Sequence, residues 1–179
     1  MAETLEARSL APQIPVNYGM ALHAMDYEHA DGLMQILEAS PRIQAYITWT
    51  AGIETVDDIR RAIDERFPQK GEAPYVLLRG ADVIGYTGLR DSKHRAGEYE
   101  IGYFIAADER GRGHIPAAVS ALMSAAENQL EARGFALYVE DRNLPSLAVA
   151  SKLGFVATGE LREDTALGSI ERRHERIVV

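Results

Sequence analysis

The sequence predicts a mixed α/β fold in a single domain. Two apolar runs, residues 75–79 and 83–89, are separated by a Gly-Ala-Asp turn, which is typical of a β-hairpin. A third run, residues 98–106, follows a short polar turn, so the three strands are expected to form an antiparallel meander without crossover helices. The pattern changes at Pro116, where apolar residues at helical spacing predict a long amphipathic helix that packs on this sheet.

The segment that begins the chain predicts an arm, a strand and a helix. Residues 1–15 contain two prolines and mixed polarity, and we expect them to form an N-terminal arm, so that the domain spans residues 16–179. A first strand is predicted at residues 16–24. Asp26 is a candidate N-cap for a helix at residues 27–39, where apolar residues recur at helical spacing.

Further helices and strands are indicated on both sides of the meander. A capped start at Thr55 predicts a helix that ends near Phe67, because Pro68 follows. After the long helix, residues 136–139 predict a buried strand that runs parallel to its predecessor, and residues 145–153 predict a short helix.

The chain ends in two predicted strands, residues 155–161 and 172–179. A polar loop at residues 162–169 joins them and is long enough to cover a site. The whole pattern predicts a mixed, mostly antiparallel sheet of about seven strands, flanked by about four helices.

The composition excludes several classes of protein. A formal charge of −8 argues against a nucleic-acid partner, whose phosphates require a basic surface. The chain has no cysteine for disulfides, zinc–thiolate sites or thiol nucleophiles, and its five histidines show no metal-ligand spacing, so no metal is expected. Because it shows neither a signal-peptide start nor a spanning apolar run, we expect a cytoplasmic protein without a membrane partner. The expected oligomeric state is a monomer or a homodimer.

The loop before the long helix has the chemistry of an anion site. Gly111 and Gly113 let the backbone approach a phosphate closely, while Arg110 and Arg112 add positive charge beside the free N–H groups of a helix start. Taken alone, such a loop is equally an ordinary surface turn. It lacks the third glycine of a dinucleotide fingerprint and the Lys-Ser or Lys-Thr pair of an ATP-binding loop.

Three blocks in order resemble the GNAT acetyltransferase superfamily: Glu100-Ile-Gly-Tyr-Phe, Arg110-Gly-Arg-Gly-His-Ile, and Asn143-x-x-Ser146 followed by Lys-Leu-Gly-Phe. Within that superfamily they are most similar to the RimJ/RimL type, the ribosomal-protein N-terminal acetyltransferases. The resemblance implies a single-domain GNAT fold, in which two parallel strands splay at the cofactor site. It also implies acetyl-coenzyme A as the co-substrate.

The same resemblance assigns residues to the co-substrate. The glycine loop would grip the pyrophosphate through backbone amides, the end of the third meander strand would hydrogen-bond the pantetheine arm, and an asparagine would contact that arm. These residues are Arg110, Gly111, Arg112, Gly113, His114 and Ile115 in the loop, Phe104, Ile105 and Ala106 in the strand, and Asn143. Ile115 departs from the family's glycine or alanine and could crowd the cofactor, and Pro116 removes one donor.

Two catalytic residues are also implied. Many GNAT members use a tyrosine to protonate the departing thiolate, but that position is Ala150 here, and in the RimJ/RimL type a serine, Ser146, would supply the proton. Glu100 matches the strand glutamate that takes a proton from the amine, directly or through water. Glu98 points the same way by strand alternation, so the assignment of the base between the two glutamates and water stays open. Without the resemblance, Glu100 could equally be a solvated strand residue and Ser146 a first-turn helix residue.

These assignments predict an N-acetyltransferase that moves acetyl from acetyl-coenzyme A to a primary amine by direct attack. The subgroup favours a protein or peptide N-terminus as the acceptor, and an amine-bearing small molecule, such as an antibiotic or metabolite, is the alternative. A catalytically idle coenzyme A-binding sensor is a second alternative, because Ile115 and the missing tyrosine depart from the family pattern.

Overall fold

One sheet forms the central layer of the protein, and the computed structural model describes residues 10–164 and 166–178. Its eight strands are β1 (Gln13–Pro15), β2 (Met20–Ala24), β3 (Glu72–Arg79), β4 (Asp82–Asp91), β5 (Glu98–Ile105), β6 (Gly134–Val139), β7 (Val156–Asp164) and β8 (Ser169–Ile177). They lie in the order β1-β2-β3-β4-β5-β6-β8-β7, and of these neighbours only β5 and β6 are parallel. The mixed, mostly antiparallel sheet is confirmed.

The sheet has one strand more than the sequence predicted. The additional strand is β1, which lies inside the expected N-terminal arm and pairs with β2 from Gln13 to Pro15. Pro12 precedes β1 and Pro15 is its last residue. Both are compatible with pairing because β1 is an edge strand, where one side needs no backbone donors. The rest of the predicted arm, residues 1–9, lies outside the described residues.

Helices cover both faces of the sheet. The first face carries α1 (Ala30–Ala39), α2 (Val56–Arg61) and α3 (Phe67–Lys70), and the second carries α4 (His114–Gln129) and α5 (Leu144–Lys152). A π-helical turn joins α2 to α3, so these five labels form four helical segments, as predicted. Within the described ranges, none of the helices is both long and apolar enough to cross a lipid bilayer.

The helix starting near Thr55 continues beyond its predicted end. The π turn directs the N–H of Phe67 to the carbonyl of Ala62. Pro68 then lies in the first turn of α3, directly after the π turn. The proline therefore marks a change of helical register and not the end of the helix, which follows at Lys70.

Each face of the sheet has its own apolar core. On the α1 face, Trp49 is 5% exposed, and its ring centroid lies 5.3 Å from that of Phe67 and 5.2 Å from that of Tyr86. On the other face, residues of α4 such as Leu122 and Met123 are fully buried against the sheet. Strand alternation separates the two cores, because successive side chains of a strand point to opposite faces.

The polar loop predicted at residues 162–169 is shorter in the structure than the sequence indicates. β7 continues to Asp164, β8 begins at Ser169, and Arg162 lies opposite Glu171 in their antiparallel ladder. Both side chains face a charged cleft. The inward-facing positions of these strands are therefore polar, and the apolar–polar alternation by which a half-buried strand is recognised in a sequence is missing. Arg162 is therefore a site residue on a strand.

Candidate active site

The glycine loop connects β5 to α4 and leaves its backbone accessible. Gly111 and Gly113 have φ values of 73° and 79°, in the left-handed region that favours glycine. A side chain at Gly111 would meet no atom within 4 Å, which shows that open space lies above the loop. Arg110 and Arg112 are exposed beside it. These features fit an anion bound to backbone N–H groups at the start of α4.

A buried carboxylate supports the loop from below. Glu109 is 5% exposed and accepts hydrogen bonds of 2.9 and 2.7 Å from the guanidinium of Arg79. These bonds hold the pKa of Glu109 below its usual value. His114 Nε2 lies 3.3 Å from Glu109, and the nearest nitrogen of Arg112 lies 3.7 Å away. The side chain of His114 therefore faces the support of the loop, which leaves its backbone as the part that could meet a phosphate.

Ile115 does not crowd the loop. Its side chain is 6% exposed and belongs to the core beneath α4, so it points away from the open space above Gly111. The helix begins at His114, and the N–H of Ala117 donates to the carbonyl of Gly113 at 3.2 Å. Pro116 thus lies in the first helical turn, where its missing N–H removes no helical hydrogen bond.

The sheet splays where β5 and β6 run parallel. They pair only at Glu98, Tyr99 and Glu100, although β5 continues to Ile105. The N–H of Ala106 donates to Ile84 of the neighbouring β4 segment, and hydrogen-bonded pairs alternate along an antiparallel ladder.

By this alternation, Phe104 and Ala106 direct their backbone groups to β4, whereas Ile105 directs its own to the open edge of the splay. Tyr103 has the same backbone orientation as Ile105. Of the three strand residues assigned to the pantetheine arm, only Ile105 therefore offers main-chain hydrogen bonds to a ligand in the splay. The phenyl ring of Phe104 is instead buried in the α1 core, 5.2 Å from the ring of Tyr86.

Ser146 lies in the first turn of α5, on the side of the sheet that carries α4. The side chain of Asn143 caps this helix, because its Oδ1 accepts a 3.3 Å hydrogen bond from the N–H of Ser146. The hydroxyl of Tyr103 donates to the carbonyl of Ser146 at 3.3 Å, and burial raises the pKa of Tyr103 to about 12. The Ser146 hydroxyl has no hydrogen-bond partner within the described residues. Ala150 is 1% exposed and buried in the core.

Glu100 lies at the centre of a cluster of charged side chains on the α1 face. Arg162 donates to both of its carboxylate oxygens at 3.0 Å, and Arg90 donates to one of them. Arg162 also pairs with Glu171 at 2.7 Å and stacks 3.5 Å above the ring of Tyr138. The two arginines thus hold the carboxylate of Glu100 in one orientation, with a side-chain exposure of 15%.

Glu98 does not share this position. It is 3% exposed, it accepts a 2.7 Å hydrogen bond from the buried guanidinium of Arg173, and it does not line the cleft. The two strand glutamates point the same way, as the sequence predicted, but only Glu100 reaches an open space.

That open space is a cleft on the α1 face of β4 and β5, with an empty volume of about 580 Å³ that includes the solvent at its mouth. Its walls combine aromatic side chains with three arginines and three glutamates. The lining residues are Tyr46, Ile47, Thr48, Trp49, Arg66, Glu72, Tyr86, Gly88, Leu89, Arg90, Glu100, Ile101, Gly102, Tyr138, Arg162 and Glu171. Each arginine is paired with a glutamate, so the cleft carries no net charge from these groups.

The two predicted catalytic residues lie on opposite sides of β5. Glu100 faces the cleft, and Ser146 lies beside Tyr103 on the α5 side. The splay between β5 and β6 connects the two sides, because the strands no longer pair beyond Glu100. An amine in the cleft and a thioester in the splay could therefore meet at the edge of β5.

Sequence reasoning missed Arg90, Arg162, Glu171 and Tyr138, which surround Glu100. The sequence predicts Arg162 in a loop, and Glu171 lies just outside the predicted last strand. Their strand register brings them together, and only a period-two pattern of polar residues along β7 could have indicated it.

A sheet that splays between two parallel strands, beside a glycine loop at a helix start, is the architecture of coenzyme A-dependent acyltransferases. The chain belongs to the acetyltransferase (GNAT) family, whose domain model matches residues 20–156. It is therefore an acyltransferase of a family whose members use acetyl-coenzyme A as co-substrate.

Three known proteins are similar to this chain. A ribosomal-protein-serine acetyltransferase of Escherichia coli (strain K12) is 25% identical over 154 residues, covering 84% of this chain and 86% of the relative. The solved structure of RimL, a ribosomal L7/L12 alpha-N-protein acetyltransferase in complex with coenzyme A, superposes with a TM-score of 0.81 at 20% identity, covering 93% and 98%. The microcin C7 self-immunity acetyltransferase MccE, in complex with acetyl-CoA and AMP, gives 0.81 at 17% identity, covering 95% and 99%. The predicted GNAT fold is confirmed.

Proposed function

We propose that the protein acetylates the α-amino group of a protein or peptide. The observation that carries this proposal is the open cleft at Glu100, which meets the splay at the edge of β5. Its arginines and glutamates are paired with one another, so the cleft does not demand a strongly ionic acceptor. The relative from Escherichia coli is named for acetylation of a ribosomal-protein serine, which supports the same class of acceptor.

The residues around the splay fit acetyl-coenzyme A. Backbone N–H groups of the glycine loop would hold its pyrophosphate, with Arg110 and Arg112 adding charge. The main chain of Tyr103 and Ile105 would hydrogen-bond the pantetheine arm along the free edge of β5. When bound, this co-substrate supplies an activated acetyl thioester.

Glu100 retains capacity to accept a proton from the acceptor. A carboxylate has about four lone-pair sites. Arg90 and Arg162 occupy three of these on Glu100, which leaves one, on Oε2, for the amine or a bridging water. We assign Glu100 as the general base and Ser146 as the donor of a proton to the departing thiolate on the other side of β5. The arginines keep the carboxylate aimed into the cleft.

Replacing Glu100 by glutamine should lower kcat about 100-fold, because an amide cannot accept the proton of the amine. The affinity for coenzyme A should change less than about twofold, since Glu100 lies on the acceptor side. Steady-state kinetics with a peptide acceptor, together with calorimetry, measures both. Glu163→Gln, at an exposed position of β7, is the matched control. A rise in KM at unchanged kcat would instead assign Glu100 to holding the amine.

Replacing Gly113 by alanine should weaken coenzyme A binding about tenfold. Gly113 has φ 79°, and a left-handed conformation costs other residues roughly 1–2 kcal/mol. The free loop would relax to avoid this strain, and binding would have to restore it. Isothermal calorimetry gives the Kd. Gly159→Ala, on a strand with ordinary φ and free space, should bind normally. Equal affinity in both variants would place the phosphate elsewhere.

Two assays test the function itself. Calorimetry with acetyl-coenzyme A tests the cofactor site, and release of free thiol across a panel of peptides and small amines tests the acceptor. We expect turnover with peptides to exceed turnover with aminoglycosides, polyamines and aminoacyl nucleotides by at least tenfold in kcat/KM. Preference for an aminoacyl nucleotide would favour the small-molecule class, for which the resemblance to MccE with bound AMP is the supporting observation. Binding without any turnover would contradict both.

A further inference from the structure

The floor of the cleft is built from three rows of residues that run across β3, β4 and β5. The strand register defines each row, and all three point to the α1 face. They are a charged row of Glu72, Arg90 and Glu100, a bare row of Pro74, Gly88 and Gly102, and an apolar row of Val76, Tyr86 and Phe104. The bare row forms a furrow, because its neighbours carry large side chains and two of its own three members carry none.

The two glycines of the furrow differ in what lies above them. A Cβ atom built on Gly88 would lie 2.5 Å from the hydroxyl of Tyr86 and 3.2 Å from the carbonyl of Ala73. A Cβ atom on Gly102 would meet nothing within 4 Å. The Tyr86 hydroxyl therefore closes the furrow at β4. What remains is a recess over Gly102, one residue wide, that opens at the edge of β5.

The backbone at Gly102 does not require glycine. Its φ lies outside the left-handed region, and Gly102 pairs regularly with Gly88 in the ladder. Glycine in a strand interior costs about 0.5–1 kcal/mol relative to alanine. Here neither a turn nor a steric clash explains that cost. A ligand that occupies the empty space would explain why this position is glycine.

We propose that the recess over Gly102 receives the first residue of the acceptor and restricts it to a small side chain: glycine, alanine or serine. This rests on the proposed function. Gly102 follows Glu100 on the same face of β5, about 7 Å further along the strand. An amine at the free Oε2 of Glu100 leaves its own α-carbon and side chain over Gly102, between Glu100 and Phe104. Tyr86 limits the depth.

The test introduces side chains at Gly102 and measures two quantities separately: kcat/KM for peptide acceptors and the affinity for coenzyme A. Gly102→Ala should lower kcat/KM about tenfold for a peptide that begins with serine, and Gly102→Val about 100-fold, because each added methyl group occupies the recess. The loss for a glycine-first peptide should be several times smaller than for a serine-first peptide. Coenzyme A affinity should stay within about twofold in both variants, since Gly102 directs its backbone to β4 and not to the splay.

Gly159→Ala is the matched control, because Gly159 also lies on a strand, has ordinary φ and free space, but does not line the cleft. It should retain wild-type kinetics. Thermal midpoints exclude misfolding, and Gly102→Ala should melt no lower than the wild type. Three results would overturn the recess proposal: equal losses of kcat/KM for all first residues, unchanged acceptor kinetics, or a parallel loss of coenzyme A affinity. In each case, turnover of peptides by the wild type would still support the proposed function. A wild type that acetylates no peptide overturns both.

Discussion

Replacing Ser146 by alanine is expected to lower kcat about 100-fold or more, while the Kd for coenzyme A stays within about twofold. A thiol has an ordinary pKa of about 8.5, so the departing thiolate takes up a proton near neutral pH, and Ser146 is positioned to supply it. Its hydroxyl lies at the start of α5, its backbone is fixed by Asn143 and Tyr103, and the described residues do not engage the hydroxyl itself. The core position of Ala150 leaves no space for a tyrosine in its place.

The measurement is steady-state kinetics with a saturating peptide, combined with calorimetry. Ser151→Ala is the matched control, because Ser151 lies in the same helix at an exposed position. Tyr103→Phe separates the two hydroxyls near the splay. The Tyr103 hydroxyl already donates to the Ser146 carbonyl, so its removal should slow turnover less than the loss of Ser146. A larger loss in Tyr103→Phe than in Ser146→Ala would assign the proton to tyrosine.

Local sequence patterns predicted the meander and the glycine loop because short turns and adjoining residues define them. The hairpin of β3 and β4 and the meander to β5 follow from short turns, and the glycine loop follows from residues that adjoin one another. The parallel crossover to β6 was also predicted, since a helix of this length must pack on the sheet and return the chain. Short-range signals therefore located the splay and its loop.

The charged cleft could not be predicted in the same way, because long-range register creates it. Arg162 and Glu100 are 62 residues apart in sequence and meet only through the tertiary arrangement of β5 and the β7–β8 hairpin. Side-chain direction was a second obstacle. Ile115 points into the core, and Phe104 turns its backbone to β4, and neither orientation is visible in a motif. Motifs identify positions, whereas the register of the sheet determines which groups of those positions a ligand can reach.

Replacing Arg173 by alanine is expected to reduce the free energy of unfolding by about 3–5 kcal/mol, because it leaves a buried carboxylate without its partner. The side chains of Arg173 and Glu98 are 5% and 3% exposed and lie 2.7 Å apart. Arg173 also donates to Glu175 at 2.7 Å. Urea denaturation measures the loss. Arg172→Ala is the matched control: it removes an ion pair to the exposed Asp141 from the same strand and should cost far less.

Lowering the pH should reduce the difference in the free energy of unfolding between the wild type and Arg173→Ala. Burial alone would raise the pKa of Glu98, but hydrogen bonds from Ser92 and Arg173 outweigh it and lower that pKa below its ordinary value of 4.5. In the wild type, the contribution of Glu98 is therefore complete above about pH 4.5 and is lost as the pH falls through the lower folded-state value. Without Arg173, the effect of burial on the pKa of Glu98 dominates, so this carboxyl is easier to protonate. Protonation at low pH then removes the free-energy cost of its buried charge. Denaturation at pH 7 and pH 4 should show a smaller gap at pH 4, and a constant gap would show that Arg173 stabilises the fold by packing and not by charge.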